Sequence, residues 1–297
     1  MFQNDRRYEL IIGNYKTGDG ILIENLQVSF DVQLGADNKK SSNSAIVEVY
    51  NLSPASLARL ETEFLECTLA VGYRDTGVQT ILTGNVTRTS TQRRGTDTIT
   101  KLFLGESYAS LFHKRVKSLV APGKSYEDVI EEIRSQMPGV ARGAYAPSGL
   151  SQQLPYGYPL NGSPKAMLDR LCSELAWEWR IVQGTLYISD ENGLTSRSTD
   201  EAVLISSETG LVDIPFYSSG EIEKLDTDPK RRTGVQFKAL INPNVQVGKL
   251  IRLESTVMPV LNGFYRVAAI RYYGDYRGND WYMDCVCKQV FNVELMQ

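Results

Sequence analysis

Short runs of alternating apolar and polar residues, separated by turn residues, dominate the first third of the chain. Residues 8–12, 45–50 and 98–104 follow this period of two, which predicts antiparallel strands with one buried face. A short helix is predicted between two of the strands, with Ser53 as N-cap, Pro54 in the first turn and an end near Glu63. In residues 26–32 every even position is apolar: Leu26, Val28, Phe30 and Val32.

The middle of the chain changes to a helical period. Ser125 and Asp128 form a capping-box pattern, after which apolar residues recur every three or four positions. Ser163-Pro164 starts a second predicted helix, which leads into a hairpin with its turn at Gln183-Gly184. Between the helices, residues 143–162 are rich in Gly, Pro and Tyr, which predicts a long contact loop or a mobile loop.

The last third returns to strands and contains a hairpin that resembles one in the first third. Arg277-Gly278-Asn279-Asp280 joins two apolar runs as Arg94-Gly95-Thr96-Asp97 does, and a Leu-x-Gly element precedes each hairpin. The turn alone is common, but the repeated order of elements indicates an internal duplication. A duplicated unit would let a trimer present six equivalent units around its axis.

These patterns predict an α+β, mainly β fold with two antiparallel β-barrel domains flanking a small α/β helix-hairpin module. The expected boundaries are residues 1–106 for the first barrel, 107–193 for the middle module and 194–297 for the second barrel. A chain of 297 residues is long enough for roughly two or three domains, each with its own core.

Composition and charge exclude several classes of protein. The hydrophobic fraction of 42% and the charged fraction of 23% are typical of globular domains. The formal net charge of −3 gives no overall attraction to nucleic acid or to an anionic membrane. No apolar run approaches the roughly 20 residues that span a bilayer, and residues 1–7 lack the apolar region of a secretory signal. We therefore expect no membrane partner and folding in the cytoplasm.

The residue inventory argues against catalysis. The only histidine, His113, is distant in sequence from the Cys285 and Cys287 pair, which leaves a zinc site short of ligands. No nucleotide-binding, zinc-protease or serine-hydrolase motif is present. Solvation and the helix dipole explain the acidic residues of the first middle helix. We predict no catalytic residue, cofactor or metal, and interpret all four cysteines as core thiols: Cys67, Cys172, Cys285 and Cys287.

The order of these elements resembles the baseplate hub proteins of bacteriophage tails. The strand that enters Tyr50-Asn51-Leu52-Ser53-Pro54 and the short helix looks like the start of their N-terminal barrel. The likeness continues through residues 69–73, 81–86, 163–189, 247–253 and 262–267.

The resemblance implies a structural, non-enzymatic subunit of a contractile-tail baseplate, related to the hubs of type VI secretion spikes. It implies a homotrimer whose paired barrels form a pseudo-sixfold ring, with the tail tube protein above and a spike or tip protein below. DNA would pass through the channel as cargo during genome ejection, and baseplate wedge and tape-measure proteins are further expected partners. Because no segment is left for a lysozyme or spike domain, these are expected in separate proteins.

Two hairpins are candidate interfaces. The first offers Arg93, Arg94 and Asp97, whose charges would line a DNA channel, face an acidic partner or remain solvated. The second is rich in tyrosine, a residue enriched at protein contacts, although packing within its own barrel explains it equally well. Its candidate residues are Tyr272, Tyr273, Tyr276 and Arg277.

Two other functions remain open. A receptor- or carbohydrate-binding tail module also uses β-barrels and exposed aromatic residues, but would tend to lack an internal duplication. A tail-associated peptidoglycan hydrolase would use a pair of carboxylates and would clear purified cell wall.

Overall fold

The chain folds mainly into β-strands with a few helices, which confirms the mainly β part of the predicted fold class. A computed structural model describes residues 5–13, 20–35, 43–60, 65–190, 202–218 and 234–289. The helices in these ranges are α1 (Pro54–Arg59), α2 (Tyr108–Phe112), α3 (Tyr126–Ser135), α4 (Pro164–Leu175) and a short 3-10 helix (Pro259–Leu261).

The strands fall into two outer groups and one middle group. The first outer group holds β1 (Arg6–Ile12), β2 (Ile21–Ile23), β3 (Val28–Gly35), β4 (Ser44–Tyr50), β5 (Glu66–Tyr73), β6 (Gly77–Arg94) and β7 (Asp97–Gly105). The middle group holds β8 (Val116–Val120), β9 (Ala141–Tyr145), β10 (Tyr158–Gly162), β11 (Trp177–Val182) and β12 (Thr185–Asp190). The second outer group holds β13 (Val203–Ser206), β14 (Phe216–Ser218), β15 (Gly234–Leu240), β16 (Leu250–Glu254), β17 (Gly263–Asp275) and β18 (Trp281–Gln289).

The period-two pattern places alternate side chains in the core, as predicted. In β3 the side chains of Val28, Phe30 and Val32 are buried, while those between them are partly exposed. Leu26 lies before the strand and packs against the core only in part. Helix α1 begins at Pro54 with Ser53 as its cap, as predicted, but ends at Arg59. Glu63, the expected end of this helix, lies outside the described residues.

The two outer groups repeat one strand order. Strands β3-β4-β7-β6-β5 lie side by side in the first unit, and β14-β15-β18-β17-β16 lie side by side in the second. Every neighbouring pair within these two sets is antiparallel. The outermost additions differ, because β1 joins β5 antiparallel whereas β13 joins β16 parallel. The predicted duplication is therefore present, while no closed barrel is found in the described ranges.

The two repeated hairpins share a bulge but differ in their turns. Thr87 of β6 and Ala268 of β17 are each an extra residue opposite the partner strand. Arg94 pairs with Asp97 across a two-residue turn, whereas the N–H of Asp275 donates to the carbonyl of Asp280 across a four-residue loop. Arg277 and Gly278 therefore lie inside the loop. Because the second turn is two residues longer, Arg94 corresponds to Asp275 and not, as the sequence match had predicted, to Arg277.

One charged pair occurs at the same place in both units with opposite orientation. Glu48 of β4 lies opposite Lys101 of β7, with Oε1 and Nζ 2.5 Å apart. Lys238 of β15 lies opposite Asp284 of β18 in the equivalent position. Both units thus have an acidic and a basic residue opposite each other at this position, but the acidic residue is on β4 in the first unit and on β18 in the second.

The two units are joined edge to edge through β17 and β3. Residues 269–275 pair antiparallel with residues 29–35, so that both units belong to one 13-stranded sheet. Their buried residues form one hydrophobic cluster, in which Phe30 and Trp281 meet edge to face at 5.3 Å. The predicted division into separate outer domains is therefore bridged by continuous strand pairing and a shared core.

The middle group has a hydrophobic cluster of its own, from Leu111 to Ile188. Helix α3 begins with the predicted capping box, in which Ser125 and Asp128 bond reciprocally. Helix α4 and the β11–β12 hairpin also match the prediction. No helix in the described ranges is long and apolar enough to cross a membrane.

The segment 143–162 is more ordered than a long loop. Its first residues belong to β9, which pairs parallel with β12, and its last residues form β10, which pairs antiparallel with β8. The composition hid these strands because Gly143 and Gly157 lie where neighbours approach closely. A Cβ on Gly143 would meet the Leu186 carbonyl oxygen at 2.6 Å.

Substitution Gly274→Ala should destabilise the β17–β3 junction. A Cβ at this position would lie 2.6 Å from Phe30 and 2.7 Å from Trp281, so both buried rings must move, at a cost of about 1–3 kcal/mol. Arg271→Ala on the same strand serves as the control, because its side chain is half-exposed and its loss leaves the core rings in place. It removes an ion pair with Asp31 and a contact with the Tyr273 ring, each worth at most about 1 kcal/mol. Thermal unfolding of both variants checks this, and equal melting temperatures would contradict it.

Candidate assembly surfaces

The first candidate hairpin lies on the surface. Arg93 and Arg94 are exposed at the end of β6. Asp97 is half-buried, and its Oδ1 accepts a hydrogen bond from Asn51 Nδ2 at 2.9 Å. Asn51 Oδ1 in turn accepts from the Thr98 N–H at 2.9 Å. The two arginines are thus available to a partner, while Asp97 fixes the chain that leads into α1.

The second candidate hairpin is used mainly within the chain. Tyr272 is only 1% exposed, and its hydroxyl donates to the carbonyl of Val245. It lies on the inward side of β17, so its proposed place on an outer surface is wrong for the monomer. Tyr276 packs against Tyr8 with ring centroids 4.8 Å apart, and Arg277 Nη2 donates to the Asn25 carbonyl at 3.0 Å.

Tyr273 is half-buried and, unlike Tyr272, lies outside the core. Its ring lies in a group of half-buried and charged side chains on the face of β15, β17 and β18. The guanidinium of Arg271 is 5.0 Å from the ring centroid, and Lys238 Nζ is 5.8 Å away. Tyr282 lies 5.9 Å from Tyr273. The group presents aromatic rings framed by cations on one face of the second unit.

Arg6 was not singled out in the sequence, yet it closes the second hairpin. Its guanidinium donates to the carbonyl oxygens of Asp275 at 3.0 Å, Gly278 at 2.7 Å and Asn279 at 2.8 Å. It also lies over the ring of Trp281 at 5.6 Å. In the sequence Arg6 is only a basic residue near the N-terminus, and nothing in the local pattern indicates that it contacts a loop 269 positions away.

Each five-strand unit has a strand segment that is paired on one side only in the described ranges. In the described ranges, residues 88–94 of β6 pair with β7 on one side only, and we call this segment the β6 edge. Residues 216–218 of β14 pair with β15 on one side only, and we call this segment the β14 edge. The β14 edge carries exposed apolar side chains, with Phe216 55% and Tyr217 50% exposed. Exposed edges of this kind are templates for pairing with another strand.

A buried ionic cluster joins the middle group to the second unit. Arg266 of β17 donates from Nη2 to Glu178 Oε2 of β11 at 2.8 Å, and Arg180 Nη1 lies 3.9 Å from the same oxygen. All three side chains are at least nine-tenths buried. Burial and repulsion from Arg266 lower the pKa of Arg180 to about 9. One carboxylate thus neutralises two desolvated guanidinium groups.

Sequence reasoning missed this cluster because it considered only one face of β11. Trp177, Trp179 and Ile181 share one buried face of the strand, and their alternation with polar residues is the pattern of a strand with one solvated face. The structure buries Glu178 and Arg180 as well, because the second unit covers the other face of the hairpin. Nothing in the apolar pattern signals that the second face of this strand is buried with charged side chains.

A second buried carboxylate lies where the first unit meets the middle group. Burial raises the pKa of Glu106 to about 7, although it accepts hydrogen bonds from Asn43 Nδ2 and the backbone N–H groups of Gln183 and Gly184. Asn43 also donates to the Ile181 carbonyl at 3.0 Å. These residues border a small cavity that Arg180, Gln246 and Tyr272 also line. The β11–β12 turn is therefore docked on the first unit by polar contacts.

The remaining candidates for chemistry have structural roles. All four cysteines are free and buried, as predicted, and desolvation raises the pKa of the Cys67 thiol to about 12. Among the described residues no group of His, Cys, Asp and Glu side chains could hold a metal ion. Glu127 contacts Arg142, and Glu131 Oε2 lies 2.8 Å from Arg134 Nη2. The acidic face of α3 is thus occupied by arginines and by the helix cap.

The fold is that of tail proteins from phages and related systems. A tail protein from Neisseria meningitidis MC58 superposes with a TM-score of 0.67 at 10% identity, over 96% of this chain and 97% of that one. The 43 kDa tail protein of prophage MuSo2 from Shewanella oneidensis gives 0.65 at 10% identity, over 96% and 98%. At such identities the likeness establishes the fold alone.

A third structure links the fold to type VI secretion. The E. coli c3393 protein, described as a component of that system with structural similarity to T4 tail proteins gp27 and gp5, superposes with a TM-score of 0.61 at 12% identity. The alignment covers 88% of this chain and 73% of that one. A search of curated proteins finds no match.

A family model described as "Baseplate hub gp41" matches residues 176–287. This segment runs from the end of α4 through the β11–β12 hairpin to β18, and so includes most of the second unit. The resemblance to baseplate hub proteins is therefore confirmed over this part of the chain. Over these residues the chain is similar in sequence to a baseplate hub family, and over 96% of its length it shares the fold of the two tail proteins described above.

Substitution Glu178→Gln should strongly destabilise the protein. It leaves Arg180 and Arg266 buried without a counter-charge, which typically costs about 3–5 kcal/mol. Glu174→Gln on α4 is a matched control, because Glu174 is half-exposed and its ion pair with Arg170 is worth at most about 1 kcal/mol. Denaturant unfolding measures both changes, and a Glu178→Gln variant as stable as the control would contradict the account.

The free energy of unfolding of the wild-type protein should fall as the pH rises from about 4.5 to about 7, because of Glu106. Its folded-state pKa lies above the ordinary value of 4.5, so the folded state binds the proton more tightly than the unfolded chain in this window. The loss is on the order of 3 kcal/mol. Substitution Glu106→Gln should remove it, so that the variant gains stability relative to wild type from about pH 5 to about pH 8.

Urea unfolding at both pH values measures this difference. Glu66→Gln, at an exposed position on β5, is the control and should follow the wild type. If Glu106→Gln shows the same pH dependence as the wild type, the buried carboxylate does not act in this way.

Proposed function

We propose that this chain is the structural baseplate hub subunit of a bacteriophage tail, and that three copies form a ring of six similar units. The observation that carries the proposal is the five-strand repeat, in which β14-β15-β18-β17-β16 follows the order of β3-β4-β7-β6-β5. Two similar units in one chain convert threefold assembly into approximate sixfold symmetry. The tail-protein fold and the hub family match support the same assignment.

In this role the ring would join the tail tube above to a spike or tip protein below. It would surround the channel through which DNA leaves as cargo, and baseplate wedge and tape-measure proteins would contact its outer parts. The subunit would assemble in the host cytoplasm and end in the virion, in a contractile tail. The spike-related neighbour from type VI secretion supports this arrangement by its fold.

The proposed domains are residues 1–106, 107–193 and 194–297, with the two outer domains acting as barrels. Support comes from the separate cluster of the middle group and from the repeat of the outer groups. Each outer unit ends in an unpaired sheet edge in the described ranges, so that neighbouring chains would be needed to complete it.

The structure favours the hub over the two alternatives. A receptor- or carbohydrate-binding module was expected to lack an internal duplication, whereas the five-strand repeat is present. A hydrolase needs free carboxylates, whereas Glu127 and Glu131 are in ion pairs and Asp128 is in the cap of α3.

The purified full chain should form trimers, alone or on addition of its tube and spike partners. Native mass spectrometry should show three copies, and electron microscopy should show an annular particle with a channel wide enough for duplex DNA. A chain that stays monomeric and ignores tube and spike proteins would contradict the proposal, as would clearing of purified cell wall in a zymogram.

A further inference from the structure

The two outer units can be aligned residue by residue from their bulges. Thr87 and Ala268 occupy equivalent positions, so Arg88 matches Ala269 and, three residues on, Thr91 matches Tyr272. The partner strands then agree without a gap, since Phe103 and Val286 lie opposite the residue after each bulge. The equivalence therefore rests on hydrogen-bonded register and not on similar side chains.

The same alignment relates β3 to β14. Val32 of β3 pairs with Ala45, which pairs in turn with Leu104 of β7. Tyr217 of β14 pairs with Val235, which pairs in turn with Cys287 of β18. Leu104 and Cys287 both lie opposite the residue before the bulge. Tyr217 therefore takes the place of Val32.

The junction inside the chain uses one edge from each unit. Tyr272 of β17 lies opposite Val32 of β3 in this junction. The equivalents of these two residues are Thr91 on the β6 edge and Tyr217 on the β14 edge. The chain thus contains one complete junction and both halves of a second. One half is β14, at one end of the sheet path, and the other is the part of β6 that extends beyond its pairing with β5.

The backbone of the β6 edge points outward at Thr91. The Thr98 carbonyl accepts from the Asn51 N–H at 2.7 Å, so the peptide groups of Thr98 face away from β6. Thr98 lies opposite Arg93, and bonded pairs alternate along an antiparallel ladder. The N–H and carbonyl groups of Arg93 and Thr91 therefore face away from β7.

The backbone of the β14 edge points outward at Tyr217. The Lys238 carbonyl accepts from the Val212 N–H at 2.9 Å, so Lys238 and, by alternation, Gln236 direct their peptide groups to the β14 side. Phe216 lies opposite Gln236 and bonds to it, which leaves Tyr217 directed away from β15. Both edges thus offer a donor and an acceptor at the positions that the internal junction uses.

We propose that the β6 edge of one protomer pairs antiparallel with the β14 edge of the next protomer, in the register of the internal β17–β3 junction. Thr91 then lies opposite Tyr217 of the next protomer, with Gln92 opposite Phe216 and Ser90 opposite Ser218. This seam rests on the proposed ring and specifies its contact. Because it is head to tail, it closes only as a ring or continues as a filament.

The side chains at the two edges suit this pairing. Phe216, Tyr217 and Ile214 are each at least half exposed in the monomer, an unusual apolar group on an edge strand. In the proposed register, the exposed Asp213 lies toward the β6–β7 turn, where it approaches Arg94. The seam thus covers the apolar group and sets an acidic side chain beside a basic one, giving the predicted interface residue Arg94 a partner.

A cysteine pair tests the register. The double variant Thr91→Cys, Tyr217→Cys should form disulfide-linked dimers and trimers on mild oxidation, because directly opposite residues lie within disulfide range. The pair Thr91→Cys, Phe216→Cys is the matched control, since a one-residue shift directs its side chains to opposite faces. All four native cysteines are buried, which keeps the background low. Cross-linking of the control but not of the test pair would overturn the register.

A proline tests the seam itself. Because the Thr91 N–H faces away from β7, Thr91→Pro should leave the β6–β7 hairpin folded while removing a bond across the seam. The concentration for half-assembly should rise at least about tenfold, whereas Thr91→Ala, which keeps the N–H, should assemble like the wild type. Circular dichroism verifies folding. A folded Thr91→Pro variant that assembles normally would overturn the seam, and the cysteine pair decides the question if this variant does not fold.

Failure of the seam can be told apart from failure of the ring. A trimeric annulus in which the test pair does not cross-link refutes the seam alone. Cross-linked filaments with no closed annulus refute the trimeric ring and leave the seam in place. A monomer at all concentrations, with and without tube and spike partners, refutes both.

Discussion

Hydrogen-bonded pairing between β17 and β3 is the interaction on which the rest of the structure depends. It joins the last strands of the chain to the first ones, and so fuses two repeated units into one sheet with one core. The burial of Trp281 and Tyr272 follows from it, since both face the core of the fused sheet. The same pairing uses one edge of each unit, while residues 88–94 of β6 and residues 216–218 of β14 are paired on one side only in the described ranges.

The middle group is held against this sheet by polar contacts rather than by a shared apolar surface. Its own cluster is separate, and the contacts between groups include Glu178 with Arg266 and Asn43 with Glu106. Buried charges of this kind contribute little net stability when paired but cost much when one partner is lost. The orientation of the module on the sheet is therefore set by a small number of directional bonds.

Much of the fold followed from local patterns in the sequence. The period of two located β1, β3, β4 and β7, and the Ser125–Asp128 capping box located the start of α3, because these signals act within a few residues. The repeated hairpin was also recognisable, since strand, bulge and turn recur in order. The hub resemblance rested on the same local elements, and the family match now covers its second half.

The rest depended on contacts that local patterns do not encode. The inserted residues in the second turn changed its register, and β9 and β10 were hidden in a Gly- and Pro-rich segment because their pairing partners are distant. Tyr272 was expected on a surface because a tyrosine-rich hairpin gives no sign of which members point inward. Arg266 and Glu178 lie 88 positions apart, and only the packed structure brings them together.

The exchanged charges of the two repeated units bear on how the chain avoids misfolding. Two units with the same strand order in one polypeptide can exchange strands while the sheet is forming. If β4 paired with β18, Glu48 would stand opposite Asp284, and if β15 paired with β7, Lys238 would stand opposite Lys101. Like charges directly opposite each other disfavour such hybrids. The opposite arrangement of the charges therefore favours pairing of each strand within its own unit.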